Sequence, residues 1–260
     1  MADRILTRHK TRLTGLRIEQ QGDQRLLRFD NDGEAIQSAI DRHQPHQLHM
    51  QNLLYLMGVL MFIPEPSRIL VLGVGGGAMI HFLRHHLPQA HITGVEHDAE
   101  LLELAQQHLQ LPAGDDRLLY VIEDADRFSR QCQQRFDLIL CDIFSGPFSP
   151  GWLLARDSID SLKHLLGADG AIAYNLLVRQ AKSFAGFYRQ LRLAYQRQTV
   201  SLELDDYQNL LVFALNSAPA SNDMNHWLQR AHWASERYQL PGNEILATIY
   251  NINPVESGII

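Results

Sequence analysis

The segment from Arg68 to Glu96, RILVLGVGGGAMIHFLRHHLPQAHITGVE, runs from an apolar stretch into a cluster of glycines, then a helical pattern, then a second apolar stretch ending on an acid. Ile69 to Leu72 are apolar at every position, as a strand covered on both faces of a parallel sheet must be. Gly73, Gly75, Gly76 and Gly77 follow directly. Glycine tolerates the positive φ that a sharp strand-to-helix turn needs, and it lets main-chain N–H groups approach a ligand at a helix N-terminus. Glu96 then stands where a carboxylate can accept hydrogen bonds from a ribose diol. The spacing predicts a βαβ nucleotide site, because four glycines in five positions exceed what an empty turn requires.

Strand and helix patterns alternate from there on, through Ile92–Glu96, Leu118–Ile122, Phe136–Cys141 and Gly170–Leu176, with helices between them. Such alternation specifies an α/β fold with a parallel sheet and helices on both faces. Thr199–Leu204 and Asn209–Leu215, joined by Asp205 to Gln208, read as an antiparallel pair at the sheet edge. Upstream, Leu13–Ile18 and Arg25–Phe29 read as a β-hairpin, with a further turn at Asn31-Asp32-Gly33. Apolar residues at helical spacing from His46 to Met61 read as a helix closed by Pro64 and Pro66. The expected division is an N-terminal β-hairpin domain over residues 1–45, a linking helix over 46–67 and the α/β domain over 68–260. A helix over Asp223–Tyr238 and an irregular tail with Pro241 and Pro254 complete the chain.

Composition narrows the function classes. A formal net charge of −6 argues against broad attraction to nucleic acid or an anionic membrane, although residues 1–28 carry seven Lys or Arg against three acids. The longest apolar run, Leu53–Ile63, is too short to span a bilayer, and the N-terminus has no apolar signal region. Two cysteines, Cys132 and Cys141, offer neither a disulfide framework nor a zinc cluster. A cytoplasmic protein without a metal is expected. His81, His85 and His86 share one helix, but with no third ligand at hand for His81 and His85 they read as a solvated face.

Gly73-x-Gly75-x-x-Ala78 with Glu96 also satisfies a dinucleotide fingerprint, so the glycine loop alone does not choose between NAD and an S-adenosyl ligand. Three downstream features favour the S-adenosyl ligand. Glu123-Asp124-Ala125 lies just past the third strand, Asp142 just past the fourth, and the terminal antiparallel pair is foreign to the usual dinucleotide fold.

In this order the motifs resemble the spermidine synthase family of polyamine aminopropyltransferases, over about Leu13 to Leu176. The resemblance rests on Ala35-Ile36-Gln37, His49-Met50-Gln51, Gly75-Gly76-Gly77, Val95-Glu96-His97-Asp98, Asp116-Arg117-Leu118, Glu123-Asp124-Ala125, Phe136–Ile139 and Asp142 with Gly146-Pro147. It implies a seven-stranded S-adenosylmethionine-methyltransferase-like (Rossmann-like) sheet with a small N-terminal β domain. It also implies decarboxylated S-adenosylmethionine as cofactor, a small amine acceptor and a homodimer. Carried over by position, Gln37 contacts the sulfonium side of the nucleoside, Gly73 to Gly77 cradle it, and Glu96 takes the ribose hydroxyls with His97 at their edge. Asp124 and the Ala125 amide take the adenine. Asp142 matches the first acid of the catalytic loop and accepts the proton of the attacking amine, while Gln51, Ser145 and Asn175 fall on the amine side.

The departures from the family pattern also lie on that side. Ala78 replaces an aspartate that pairs with the cofactor's amino group, Ser145 replaces the second loop acid, Met50 a tyrosine and Asn175 a glutamine. Loss of one charge-assisted hydrogen bond is worth about 1.5–3 kcal/mol. The nucleoside half is thus retained and the amine half rebuilt. The expected activity is a spermidine synthase-like aminopropyl transfer. The alternatives are a methyltransferase using S-adenosylmethionine itself, or a non-catalytic S-adenosyl nucleoside-binding protein. Asp98 reads as a helix cap; Phe144, Phe148 and Trp152 read either as walls of an acceptor pocket or as ordinary loop packing; Ser149 lacks the strand-elbow context of a nucleophile.

Overall fold

A computed structural model describes residues 4–11, 15–30, 35–146, 148–204, 209–253 and 259. Leu13, the turn at Asn31-Asp32-Gly33, Pro147, the connection Asp205 to Gln208 and Pro254 lie outside the described residues.

The N-terminal hairpin exists and is part of something larger. Strands β1 (Arg4–Lys10), β2 (Gly15–Gln21), β3 (Gln24–Phe29) and β4 (Ser38–Asp41) form a four-stranded antiparallel sheet in that order. β1 escapes a reading by hydrophobic alternation because it is mostly exposed and basic, and β4 because it is only four residues long. This sheet docks on the main body through its apolar face, where Leu16, Ile18, Leu27 and Ile40 join the core, and through polar contacts at its rim. Thr11 Oγ1 donates to Asp98 at 2.5 Å, and the Arg25 guanidinium donates to the His108 carbonyl.

The expected helix over His46–Met61 is shorter. It comprises α1 (Gln51–Leu56) followed by a 3₁₀ turn over Met57–Met61, and this pair buries Leu53, Leu56, Met57 and Leu60. Met57, Met61 and Met79 are core residues.

The main sheet has seven strands in the order β10-β11-β9-β8-β5-β6-β7. These are β5 (Arg68–Leu72), β6 (His91–Glu96), β7 (Leu118–Ile122), β8 (Phe136–Cys141), β9 (Leu166–Leu176), β10 (Thr199–Glu203) and β11 (Leu210–Leu215). β5 to β9 are parallel, and β11 pairs antiparallel with both β9 and β10. Alternate residues of a strand point to opposite faces, and the core divides accordingly. Ile69, Val71, Leu138 and Leu140 join the core beneath α2 (Ala78–His86), α3 (Ala99–His108), α7 (Met224–Tyr238) and α8 (Gly242–Ile252). Leu70, Leu72, Ile139 and Cys141 join the opposite core, under α4 (Ala125–Gln131), α5 (Arg156–His164) and α6 (Ala181–Ala194). Both faces are thus covered, and all four apolar residues of β5 are buried completely.

The C-terminal segment departs from expectation, because residues 242–252 form α8 rather than an irregular tail. Pro241 occupies the N-cap position, where a missing N–H costs nothing, and Ile245, Leu246 and Ile249 supply a buried stripe at helical spacing. Ile245 packs so closely on Gly58 that a Cβ there would come within 2.8 Å of it.

The histidines of α2 are not a solvated face either. His81 and His86 are buried, and only His85 is exposed. The cause lies in what α2 packs against. Tyr238 of α7 meets the His86 ring edge-on at 5.8 Å, and His46 stacks on His85 at 3.7 Å. Burial first, then the neighbouring His85 and His46 rings, lower the His86 pKa to about 4, while Arg237 donates to its carbonyl at 2.7 Å. His86 therefore stays neutral in the folded chain while it would take up a proton near its ordinary 6.5 in the unfolded one. The stability this provides is present above pH 6.5 and is lost as pH falls toward 4. Thermal melts between pH 7 and 5 should show a loss of about 1 kcal/mol from this group, roughly 2–4 °C. His86→Phe should flatten that part of the slope; an unchanged slope would assign it to other groups.

Candidate active site

In an open parallel sheet, ligands bind at the carboxyl ends of the strands, where successive connections leave on opposite sides. Here that point lies between β5 and β8, which are paired neighbours whose following strands lie to opposite sides. Gly73 follows β5, Asp142 follows β8, Glu96 ends β6, and Glu123 with Asp124 follow β7. Because β11 runs the other way, Asn209 at its start is delivered to the same edge.

Two adjoining chambers, of about 690 and 480 Å³, open over this edge and share Gly73, Glu96, His97, Ile143 and Phe144 as walls. The larger also reaches Gln37, Met50, Gly75, Gly76, Ala78, Asp142 and Asn209. The smaller reaches Asp124, Ala125, Ser145 and Trp152. The residues expected to hold a nucleoside are therefore brought together, with Glu96 at the junction.

Four of the predicted residues lie elsewhere than their assigned roles imply. Gly77 is the left-handed N-cap of α2, where a Cβ would meet Leu111 at 2.4 Å, so its work is packing rather than wall-building. Gln51 is the first residue of α1 and is absent from the chamber walls, whereas His49, Met50 and Asn52 beside it belong to them. Ser145 is exposed and borders the smaller chamber, not the larger one that Asp142 lines. Asn175 is wholly buried behind Asp142 and does not border the cavity.

The glycine loop divides its labour. Gly73 has φ +89°, and a Cβ on it would lie 2.3 Å from the Asp142 carbonyl oxygen, so only glycine lets the two loops close on one another. Gly75 has φ +52°, and a Cβ there would meet nothing within 4 Å. The space beside Gly75 belongs to the cavity.

Glu96 is 5% exposed and, in the protein alone, already fully engaged. One carboxylate oxygen accepts from the Val74 and Gly75 amides at 3.2 and 3.1 Å. The other accepts from the His97 amide, the His97 ring Nδ1 and the Asp98 amide at 2.9, 2.9 and 3.1 Å. Burial by itself would raise its pKa, but the His97 ring and the Gly75 and Asp98 amides together outweigh burial and hold the carboxyl below its usual value. The bond to Glu96 in turn raises the pKa of His97. Glu96 thus fixes the shape of the glycine loop, a role that its place at the end of a strand does not reveal. Asp98 caps α3, accepting from the Glu100 and Leu101 amides, as expected. Asp124 caps α4 through the Arg127 amide and is itself exposed at the smaller chamber.

Asp142 is the other anchored acid. Its amide donates to the Leu72 carbonyl at 2.9 Å, extending the β5–β8 pairing into the loop. Its Oδ1 accepts from Asn175 Nδ2 at 2.8 Å, and Asn175 Oδ1 accepts from Asn209 Nδ2 at 2.7 Å. The side chain reaches the cavity and keeps some contact with solvent, yet it sits deep enough that burial raises its pKa to about 6 against the opposing pull of Asn175. Ser149 donates its amide to the Leu177 carbonyl and accepts the Leu177 amide on its hydroxyl, a loop anchor rather than a nucleophile. Phe144 and Trp152 are cavity walls, and Phe148 lies beneath the Arg179 guanidinium at 4.7 Å. Sequence reasoning missed Asn209, because only the register of β11 against β9 brings it to Asn175.

Known proteins share this fold and align over much of this sequence. The polyamine aminopropyltransferase of Neisseria meningitidis is 24% identical over 238 residues, 91% of this chain and 89% of that protein. Among solved structures, a probable spermidine synthase from Corynebacterium glutamicum superimposes with a TM-score of 0.76 at 16% identity, covering 95% of this chain and 94% of that one. Human methyltransferase-like protein 13, in complex with SAH, gives 0.63 at 21% identity, covering 76% and 93%. The family model of the spermine/spermidine synthase domain matches residues 51–185, more than half of the sequence and the stretch that holds the glycine loop, Glu96, Asp124 and Asp142, so this chain belongs to the spermine/spermidine synthase family.

Proposed function

We infer that this protein transfers an aminopropyl group from decarboxylated S-adenosylmethionine to a small amine. The observation that carries the reading is Asp142, a carboxyl at the cavity wall, oriented by Asn175 and with a pKa raised to about 6. An alkylammonium loses its proton near pH 10, so an amine needs a base at hand before it can attack carbon. Ionised above pH 6, Asp142 holds the ammonium and then accepts that proton. The sulfonium, when bound, supplies the leaving group.

The chain's own residues fit such a nucleoside. The open space at Gly75 admits it, and Glu96 lies where the two chambers meet. Ribose hydroxyls reaching Glu96 take over acceptor positions now held by the Gly75 amide or the His97 ring. Asp124 and the Ala125 amide are assigned to the adenine in the smaller chamber, and Gln37 to the sulfonium side in the larger. Glu96→Gln should weaken methylthioadenosine binding tenfold or more by calorimetry, since a charge-assisted hydrogen bond is worth about 1.5–3 kcal/mol. Unchanged affinity would remove Glu96 from the ligand.

The direct test is incubation with decarboxylated S-adenosylmethionine and a panel of small amines. Methylthioadenosine and aminopropylated amine should form in equal amounts; no product with any amine would contradict the reading. A methyltransferase is the second reading, favoured by the lack of any acid in the first turn of α2, where Ala78 stands. It would instead form S-adenosylhomocysteine from S-adenosylmethionine. No described helix is long and apolar enough to cross a membrane. A cytoplasmic homodimer completes the proposal.

A further inference from the structure

We propose that Asn209 is a positioning residue for the reaction: by donating to Asn175, it fixes which end of that amide faces Asp142. This rests on the reading of Asp142 as the proton acceptor. An asparagine amide carries a donor end and an acceptor end, and a half-turn about its last bond exchanges them. Asn175 is wholly buried, and its two ends are engaged on opposite sides, Nδ2 by Asp142 Oδ1 at 2.8 Å and Oδ1 by Asn209 Nδ2 at 2.7 Å.

The second bond reinforces the first, in which the carboxylate already calls for the donor end. With Asn209 donating, a half-turn of Asn175 would set its Nδ2 against the Asn209 Nδ2, donor to donor, and its Oδ1 against the Asp142 carboxylate, acceptor to acceptor. Both juxtapositions are unfavourable in a dry surrounding, so the native orientation is locked. The consequence at the cavity is that Asp142 Oδ1 is always occupied by an amide donor, which leaves Oδ2 as the oxygen for the amine. The relay contains two neutral amides and adds no charge, so it orients the carboxylate and moderates the effect of burial without neutralising the acid.

The fold makes the arrangement and the sequence hides it. Asn175 is the tenth of eleven residues in β9, and Asn209 immediately precedes β11. They meet because β11 lies antiparallel on β9 with Leu211 opposite Asn175.

The test is the pH dependence of kcat/KM with the full-length protein. The parent should show an acid-side limb near pH 6 that disappears in Asp142→Asn. Asn209→Ala frees Asn175 to turn, and the limb should move up by about half to one pH unit, so that the variant is about two- to fivefold slower at pH 6 and recovers above pH 8. Asn209→Asp, which keeps the shape of the side chain but can only accept, should move it further in the same direction. Carbon-13 NMR titration of the Asp142 carboxyl in parent and Asn209→Ala should give the same displacement without any turnover. A limb and a titration that stay in place in both folded variants would overturn the proposal, and a uniform loss of rate at every pH would make Asn209 a merely structural residue. A parent limb that survives Asp142→Asn would remove Asp142 as the base, and the relay with it.

Discussion

Replacing Asp142 with asparagine should lower kcat by about 10²–10⁴, the usual contribution of a positioned base, while leaving methylthioadenosine affinity within a fewfold of the parent. The same substitution should make the protein more stable. A carboxyl whose pKa rises from 3.8 to about 6 on folding binds protons more tightly folded than unfolded, so stability falls as pH rises through that window. Above pH 6 the folded chain carries a buried charge that asparagine would not. The oxygen of the introduced amide could still accept from Asn175, so the substitution costs no hydrogen bond at that position. A rise of about 1–2 kcal/mol is expected at pH 7, a discount on the full shift because the side chain keeps some solvent contact. Thermal melts at pH 7 and pH 4 check the sign, since the gain should vanish at the lower pH. Loss of activity with gain of stability is the pattern of a group kept for chemistry. A variant that is slower and also less stable would point to an architectural role instead.

Two glycines two residues apart should respond in opposite ways. Gly73→Ala adds a methyl group 2.3 Å from a backbone oxygen, at φ +89°, where neither the alanine nor the Asp142 loop can give way cheaply. Strain of about 1–3 kcal/mol for the backbone plus a similar amount for overpacking should lower Tm strongly and displace Asp142, abolishing turnover. Gly75→Ala meets no neighbouring atom within 4 Å, so only its φ of +52° is strained and the melt should shift by a few degrees at most. Its methyl group instead enters the cavity, so nucleoside affinity should fall by tenfold or more. Thermal melts and calorimetry with methylthioadenosine separate the two. Equal stability of the variants would mean that the closure of the two loops on each other is not needed.

The parts of this molecule that are legible in its sequence are those where a local pattern dictates the outcome. β7 and β8 run over Leu118–Ile122 and Phe136–Cys141, the limits set by their apolar runs, and the glycine loop meets the carboxyl edge of the sheet where a βαβ unit must put it. Asp98 caps α3 because an aspartate one residue before a helical pattern has that use almost regardless of context. What stays hidden depends on partners distant in sequence. β1 is too exposed to show alternation, and α8 has its apolar stripe between two prolines. His86 reads as surface because Tyr238, which covers it, lies in another helix.

The candidate site divides in the same way. Gly73, Glu96, Asp124 and Asp142 follow strand ends, and a parallel sheet gathers strand ends along one edge, so their convergence can be read in advance. Gln51 and Ser145 are placed by resemblance alone, and the structure sets neither among the walls of the larger chamber. Asn209 could not be found from sequence, since its neighbour Asn175 is 34 positions away and only strand register joins them. Nor could the saturation of Glu96 by five donors be anticipated from a lone acid at the end of a strand.

An adenosyl thioether is expected to lie across both chambers, its ribose on Glu96 and its sulfur directed at Asp142. A crystal structure of the protein with methylthioadenosine tests this most directly. The expected result is adenine beside Asp124 in the smaller chamber, both ribose hydroxyls on the Glu96 carboxylate, and the sulfur facing the Asp142 side of the larger chamber. A nucleoside bound elsewhere, or a saturated crystal with both chambers free of it, would contradict the account.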